Sequence, residues 1–497
     1  MGDKKDMDRR EFLKRSGACI AGAALAPSLF QGCSKTAAKK PPNLLIVFPD
    51  QMRAHSQGFM NEDPVLTPVL DRFAEESLVL TEAVSNYPVC SPFRAMLMTG
   101  KYPHANGVLA NCNTNGTTHG YELRRDERCW SDILREQDYS LGYIGKWHLD
   151  GPRRPYVKSS NNSENFAWNE WCPPDRRHGF EYWYAYGTYD QHMNPMYWTT
   201  DAGRDDSLYV DQWGPEHEAD QAIRYIRNEG GSLRDQEKPF ALVVSMNPPH
   251  MPYDQLPDSY VEMYSEKTLE ELCNRPNIPP AGTRWGDYYR KHIRNYLAMT
   301  TGVDAQFGRI LTALKEQGLE EDTIVLFTSD HGNCLGIHDQ ISKNNRYEES
   351  MRIPFLLRWP GQIQPRRDDL FISVPDIYPT LLDLMGFTDS VPADVQGSSH
   401  AELFRKGTGE RQGSQLYIWI PYGQPAWGRR GVRTHSHTLM LSRMPEQPDA
   451  AVLHDNLEDR YQLVNLAETN PNLVSRLSEN ELVPWLEATQ DPWLRNL

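Results

Sequence analysis

The amino-acid sequence predicts an α/β fold. A large, mixed but mostly parallel sheet is sandwiched by helices and followed by a smaller antiparallel sheet with a packed helix. Three observations predict it. Four short apolar runs each end in polar, chemistry-bearing residues; amphipathic helical patterns lie between them; and the chain changes character after about residue 400.

The four runs are residues 43–48, 140–145, 240–245 and 323–328. Continuous runs of this kind suit strands buried on both faces, as parallel strands are. They lead into Asp50-Gln51, Lys146-Trp147-His148, Asn247-Pro248-Pro249-His250 and Asp330-His331-Gly332. Helices are predicted over 71–77, 218–228 and 288–317. In the last, Ile293, Leu297, Val303, Phe307, Ile310, Leu311 and Leu314 recur at helical spacing, and Gly318 supplies a stop. Strand–helix alternation gives an open sheet covered on both faces, with its site at the carboxyl ends of the strands. Asp50, Lys146, His148, His250, Asp330 and His331 all fall there. Beyond residue 400, short strands over 415–420, 430–433, 438–441 and 450–454 are separated by polar turns, and a helix follows near 472–479. The expected organisation is an address over 1–40, a main domain over 41–400 and an α+β subdomain over 401–497.

The composition agrees with a packed protein. Of 497 residues, 39% are hydrophobic and 24% charged, which excludes a disordered chain, a collagen-like repeat and a polytopic membrane protein. A net charge of −15 argues against nucleic acid as a partner. It also requires that an anionic substrate be met by a local cluster of cations. At the N-terminus, Asp8-Arg9-Arg10-Glu11-Phe12-Leu13-Lys14 resembles a bacterial twin-arginine export signal, and the apolar stretch 17–30 is too short to span a bilayer. Phe30-Gln31-Gly32-Cys33 resembles a lipobox, from which Phe30 and Gln31 depart. The expectation is export to the periplasm, with a lipid anchor at Cys33 as the one membrane attachment. Without residues 1–40 the chain keeps 43 basic and 63 acidic residues, a net of −20. Cys90, Cys112, Cys129, Cys172, Cys273 and Cys334 show no CxxC and no metal-ligand spacing, and the sequence does not pair them.

The most specific signal is Cys90-Ser91-Pro92-Phe93-Arg94. Pro92 suits the first turn of a helix whose Phe93, Met96 and Leu97 share a face. Cys90 then sits at the helix N-terminus, where free N–H groups and the dipole favour an anion. With Thr99-Gly100 and Pro103-x-x-x-Gly107, this stretch resembles the signature of the type I sulfatases, whose cysteine is converted to formylglycine by a maturase. Other segments match in order, from residue 43 nearly to the C-terminus. They are Asp50-Gln51, Gly145-Lys146-Trp147-His148, Pro248-Pro249-His250-Met251-Pro252, Asp330-His331-Gly332, residues 343–354 beginning at Lys343, and residues 453–466. The resemblance implies an alkaline-phosphatase-like fold and hydrolysis of sulfate esters.

It also implies the site. Asp50, Gln51, Asp330 and His331, beside Cys90, take the places of the family's metal ligands, and Ca²⁺ is the metal such oxygen-rich sites usually hold. Gln51 and His331 depart from the all-oxygen pattern and leave room for Mn²⁺. Lys146 and His148, two apart in a segment read as extended, are expected on one side of the strand. The implied mechanism hydrates the formylglycine to a geminal diol, with Arg94 and the cation holding the nucleophilic oxygen. Lys146, Lys343 and the metal grip the sulfate. His250 or Lys343 protonates the departing alcohol, and His148 takes the proton of the second hydroxyl, so that sulfate leaves and the aldehyde returns.

Residues 156–213 hold 14 aromatics in 58 positions, Trp168, Trp171, Trp183, Tyr184, Trp198 and Trp213 among them. They read equally as a sugar-binding surface and as a packed segment. With export, they point to a sulfated polysaccharide or its oligosaccharides as substrate. Two alternatives stand beside this reading: a phosphonate monoester or phosphodiester hydrolase of the same superfamily, and an inactive glycan-binding protein.

Overall fold

A computed structural model describes residues 40–496, so the export-signal motif and Cys33 lie outside the described residues. Ten strands form the large sheet. They are β1 (Asn43–Pro49), β2 (Leu78–Val84), β3 (Ser140–Lys146), β4 (Tyr182–Tyr186), β5 (Met196–Thr199), β6 (Leu208–Tyr209), β7 (Phe240–Met246), β8 (Thr323–Thr328), β9 (Phe355–Arg358) and β10 (Arg366–Ser373). Their spatial order is β10-β2-β9-β8-β1-β7-β3-β4-β5-β6. The four predicted runs are β8, β1, β7 and β3, adjacent and mutually parallel. Strand β9 runs antiparallel to both β8 and β2, and β5 and β6 are antiparallel additions, so the sheet is mixed.

The apolar runs are continuous because both faces are covered. Leu44, Ile46 and Phe48 belong to one buried cluster, whereas Leu45 and Val47 belong to the other. Each such side chain contributes about 1.5–3 kcal/mol by burial. Register levels the strand ends: Phe48 lies opposite Ser245, Val47 opposite Phe327, and Gly145 opposite Ser245. The residues that follow β1, β3, β7 and β8 therefore emerge along one edge.

The helices begin one turn before the apolar periodicity does. Helix Pro68–Glu75 replaces the predicted 71–77, Gly214–Arg227 replaces 218–228, and Arg284–Glu316 replaces 288–317. Their starts are set by Pro68, by Pro215 and by Thr283, whose hydroxyl accepts from Gly286 N. Gly318, at φ +63, lies just past the end of the long helix, as predicted.

The second sheet is antiparallel, in the order β11 (Ser414–Trp419), β12 (Gly428–Thr434), β13 (His437–Arg443) and β14 (Ala450–Asp455). Helix Pro471–Leu477 follows. Leu416, Ile418, Val432, Leu439 and Leu453 join the same apolar cluster as Phe48 and Phe93, so this sheet shares a core with the large one. Strand β11 lies against the segment before Cys90, with Ile418 N donating to the Asn86 carbonyl at 2.8 Å. No helix among the described residues is long and apolar enough to cross a membrane. The six cysteines described are all free thiols.

Candidate active site

Helix Cys90–Thr99 is buried along its whole length, with Cys90 as its first residue. Ser91 Oγ donates to the His148 carbonyl at 2.8 Å, and Ser91 N donates to Asn111 Oδ1, which fixes the helix N-terminus beneath the strand ends. The sequence-predicted residues converge on it. Cys90 Sγ lies 3.0 Å from Lys343 Nζ, 3.5 Å from His331 Nε2, 3.7 Å from Asp50 Oδ1 and 3.9 Å from Lys146 Nζ. Arg94, one turn along the helix, reaches both carboxylates at 3.3 Å: Asp50 Oδ2 and Asp330 Oδ2. Lys146 Nζ donates to Asp50 Oδ2 at 2.6 Å and to Asn247 Oδ1 at 3.1 Å.

Two glycines let these residues approach. Gly145 has φ +94, and a β-carbon there would lie 2.1 Å from the Ser245 carbonyl oxygen. At Gly332, beside His331, a β-carbon would lie 2.0 Å from the Glu349 carbonyl oxygen. Neither site admits a side chain.

One local expectation is corrected. His148 does not continue the extended strand: its φ is +52, in the left-handed region. The turn, rather than strand alternation, brings its ring beside Cys90 and within 6.4 Å of the Trp168 ring. Among the described residues neither buried ring nitrogen of His148 has a hydrogen-bond partner. Burial pushes its pKa down, against the pull of Cys90. His250 lies nearer the surface. Its Nδ1 donates to the Met251 carbonyl at 2.7 Å and lies 3.4 Å from Asp190 Oδ1, which leaves Nε2 free.

The electrostatics follow from burying acids among cations. Burial and the Asp50 carboxylate raise the Cys90 thiol, but Lys146 and Lys343 outweigh them and leave it well below the usual thiol range. Asp50 is pushed up by burial and pulled down further by Lys146 and Lys343, ending well below the usual carboxylate range. Asp330 shares the site with Asp50. Burial and that neighbour push it up to about 6.

This donor set fits a divalent cation. Ligand atoms of Asp50, Cys90, Asp330 and His331 lie within 4.8 Å of one another, all buried. The Gln51 side-chain amide oxygen and nitrogen are buried without a partner among the described residues, although the backbone Gln51 N donates to Asp330 Oδ1 at 3.0 Å. His331 Nδ1 donates to the Gly332 carbonyl, so Nε2 presents its lone pair to the cluster.

Four neighbours were not read from the sequence as site residues. Ser245 accepts from Arg94 at 2.8 Å, and Asn247 ties Lys146 to Asp190. His192 bonds the His250 carbonyl at 2.9 Å. Asn247 stands in the quoted segment before His250 and was legible there; Asp190 and His192 come from an aromatic-rich loop with no motif.

Fold and site together define a hydrolase built around one residue at a helix N-terminus, with cations for an anionic ester and a carboxylate cluster for a metal. Comparison with known proteins narrows the class. The sulfatase family model matches residues 42–387, and a model described as the N-sulphoglucosamine sulphohydrolase C-terminal region matches 336–482. An endo-4-O-sulfatase of Bacteroides thetaiotaomicron is 41% identical, covering 93% of this chain and 96% of its own. An ulvan-active sulfatase of Formosa agariphila is 32% identical, covering 86% and 77%. A solved structure from work on glycosaminoglycan metabolism by B. thetaiotaomicron matches with 39% identity and a TM-score of 0.85, covering 92% of this chain and 98% of its own. The chain belongs to the sulfatase family and is a sulfuric ester hydrolase. That assignment sets aside the phosphonate-ester and inactive-binder alternatives. A phosphonate monoester hydrolase of Agrobacterium radiobacter shares the fold alone, at 20% identity.

Proposed function

We propose that this enzyme removes sulfate from a sulfated polysaccharide or its oligosaccharides, using a formylglycine formed at Cys90 and a divalent cation. The observation that carries the reading is the convergence of Arg94, Lys146 and Lys343 on Cys90 and its carboxylates. In a chain with so large an acidic excess, two buried cations and a partly buried third at one point serve an anion. The two curated relatives named above support a glycan substrate. So does Trp168, which stands partly exposed beside His148, whereas Trp183, Trp198 and Trp213 are packed in the core. The aromatic segment is thus mostly structural, and Trp168 is its sugar-stacking member.

Asp50, Gln51, Asp330 and His331 would hold the cation, Ca²⁺ in the first instance and Mn²⁺ as the nitrogen-tolerant alternative. Cation and hydrated aldehyde together supply an oxygen nucleophile at neutral pH. Arg94 fixes both carboxylates beneath that nucleophile. Lys146 and Lys343 bind the sulfate oxygens and stabilise the charge that develops on them. Lys343 keeps its proton: burial opposes this, but Cys90, Asp50 and Asp330 raise its pKa further. His250, at the rim with Nε2 free, is placed to protonate the departing alcohol. His148, neutral because it is buried, accepts the proton that must leave for the aldehyde to re-form. The N-terminal motif supports export to the periplasm, with Cys33 as a lipid-anchor position, and a maturase is required to oxidise Cys90.

The test is release of inorganic sulfate from a panel of defined sulfated oligosaccharides by enzyme co-expressed with a maturase. Release from at least one, lost in Cys90→Ala, is expected. Release that persists in Cys90→Ala refutes the mechanism; no release from any glycan, with an aryl sulfate still turned over, refutes the substrate class.

A further inference from the structure

The C-terminal sheet and the Lys343 loop carry two arginines that have no carboxylate partner among the described residues. Arg346 lies three residues beyond Lys343, so their Cα atoms are at most about 11 Å apart. Its Nε lies 3.4 Å from His454 Nε2, its Nη2 donates to the Tyr347 hydroxyl at 2.7 Å, and its guanidinium covers the Tyr347 ring at 4.3 Å. Burial and Arg346 itself push His454 down to about 4, so this histidine adds no second charge near neutral pH. Arg429, at the start of β12, lies over the Trp419 ring at 4.8 Å. Each guanidinium is close enough to act on the buried Tyr417 hydroxyl, and Arg429 acts on Arg346.

The neighbouring arginines of β12 are bound differently. Arg430 grips Asp491 through two hydrogen bonds, at 2.6 and 2.9 Å, and Arg433 pairs with Glu348 and Glu82. Neither Arg346 nor Arg429 has a carboxylate within ion-pair distance among the described residues. Both guanidinium groups are half-buried, and the charge of Arg429 is felt at Arg346.

Their place ties them to the reaction centre. Lys343 Nζ touches Cys90 Sγ, Asn344 N donates to the Pro88 carbonyl at 3.1 Å, and β11 is hydrogen-bonded to Asn86. The segments that carry both arginines thus adjoin the stretch that leads into Cys90.

We propose that Arg346 and Arg429 form a second anion subsite, which binds a carboxylate or a further sulfate on the glycan and makes the enzyme selective for polyanionic substrates. The proposal rests on the glycan-sulfatase reading above. Guanidinium groups suit both anions because their planar donors match two oxygens at once.

The test uses three disaccharides carrying the same target sulfate: one otherwise neutral, one with a uronate carboxylate, one with a second sulfate. Wild-type enzyme is expected to favour at least one charged disaccharide over the neutral one by about tenfold in kcat/KM, chiefly through KM; which one is favoured identifies the anion. In Arg346→Gln and in Arg429→Gln that ratio is expected to fall toward one, and Arg346→Lys to restore part of it. Equal turnover of all three by wild-type enzyme overturns the subsite and leaves the glycan reading intact. So does an equal loss on all three in both glutamine variants. The target sulfate is one released in the panel described above, so failure of the glycan reading is read from the panel and failure of the subsite from these three. Should one variant fail to fold, the wild-type ratio and the other variant still decide.

Discussion

Two clusters among the described residues pair a cysteine with carboxylate and histidine, and they behave oppositely. Cys90 stands with Asp50, Asp330 and His331; Cys129 stands with Asp132 and His178. At Cys90 two lysines outweigh burial and draw the thiol down. At Cys129 burial, Asp132 and Glu127 all push the thiol up, and Lys101 is too weak to reverse them. The acids differ as well. Asp132 is already engaged, accepting from Cys129 N at 3.1 Å as a helix cap and lying 3.1 Å from His178 Nδ1. Asp330 and Gln51 keep acceptor capacity to spare. Residue types alone do not make a site; convergent cations and uncommitted acceptors do.

The largest expected effect separates the two cysteines. Cys90→Ala should abolish sulfate release, a loss on the order of 10⁴–10⁶-fold as for other nucleophile deletions. Cys129→Ala should keep turnover within about twofold while losing about 1–2 kcal/mol of stability in urea unfolding, a modest core deletion. Abolished turnover in a folded Cys129→Ala protein would erase the distinction.

Next come the two lysines that set the Cys90 cluster apart. Lys146→Ala and Lys343→Ala should each lower kcat/KM by about 10²–10³-fold, the scale of losing one oxyanion-stabilising group. A fall confined to KM would mean that they bind sulfate without stabilising the transition state.

Metal binding sharpens the contrast further. Gln51→Ala should weaken Ca²⁺ binding about tenfold or more by titration calorimetry, while Asp132→Asn leaves the Ca²⁺ isotherm as in wild type. An unaltered isotherm for Gln51→Ala would remove that side chain from the centre.

The smallest effect is on pH-dependent stability after chelation. The folded-state pKa of Asp330, about 6, lies above its ordinary value, so the folded chain holds a proton there that the unfolded chain has released. Stability of the chelated protein should therefore fall as pH rises from about 4 through about 6. The gain in Tm on adding Ca²⁺ should be greater at pH 7 than at pH 4.5. A gain independent of pH would show that Asp330 does not face the cation.

Much of this was legible in the sequence, for identifiable reasons. The runs at β1, β3, β7 and β8 are buried on both faces, so they read as unbroken apolar stretches and end in the site residues. The outer strands did not read so clearly. β4 is a run of aromatics beginning at Tyr182, and β9 has four residues, each too ambiguous or short for periodicity. Cys90, Arg94 and Lys343 were found because motif segments mark them, across more than 250 residues of separation in the case of Cys90 and Lys343. Asp190 and His192 were missed because loop residues become neighbours of His250 only through the tertiary fold. The left-handed turn at His148 was hidden for the same reason: nothing in Gly145-Lys146-Trp147-His148 signals that the strand stops at Lys146.

The account rests most heavily on the chemical state of position 90, and peptide mass spectrometry of fully active enzyme reads it directly. The prediction is a peptide carrying an aldehyde in place of the Cys90 thiol, with the Cys129 peptide bearing an intact thiol in the same digest. An unmodified thiol at Cys90 in enzyme that releases sulfate at its full rate would contradict it.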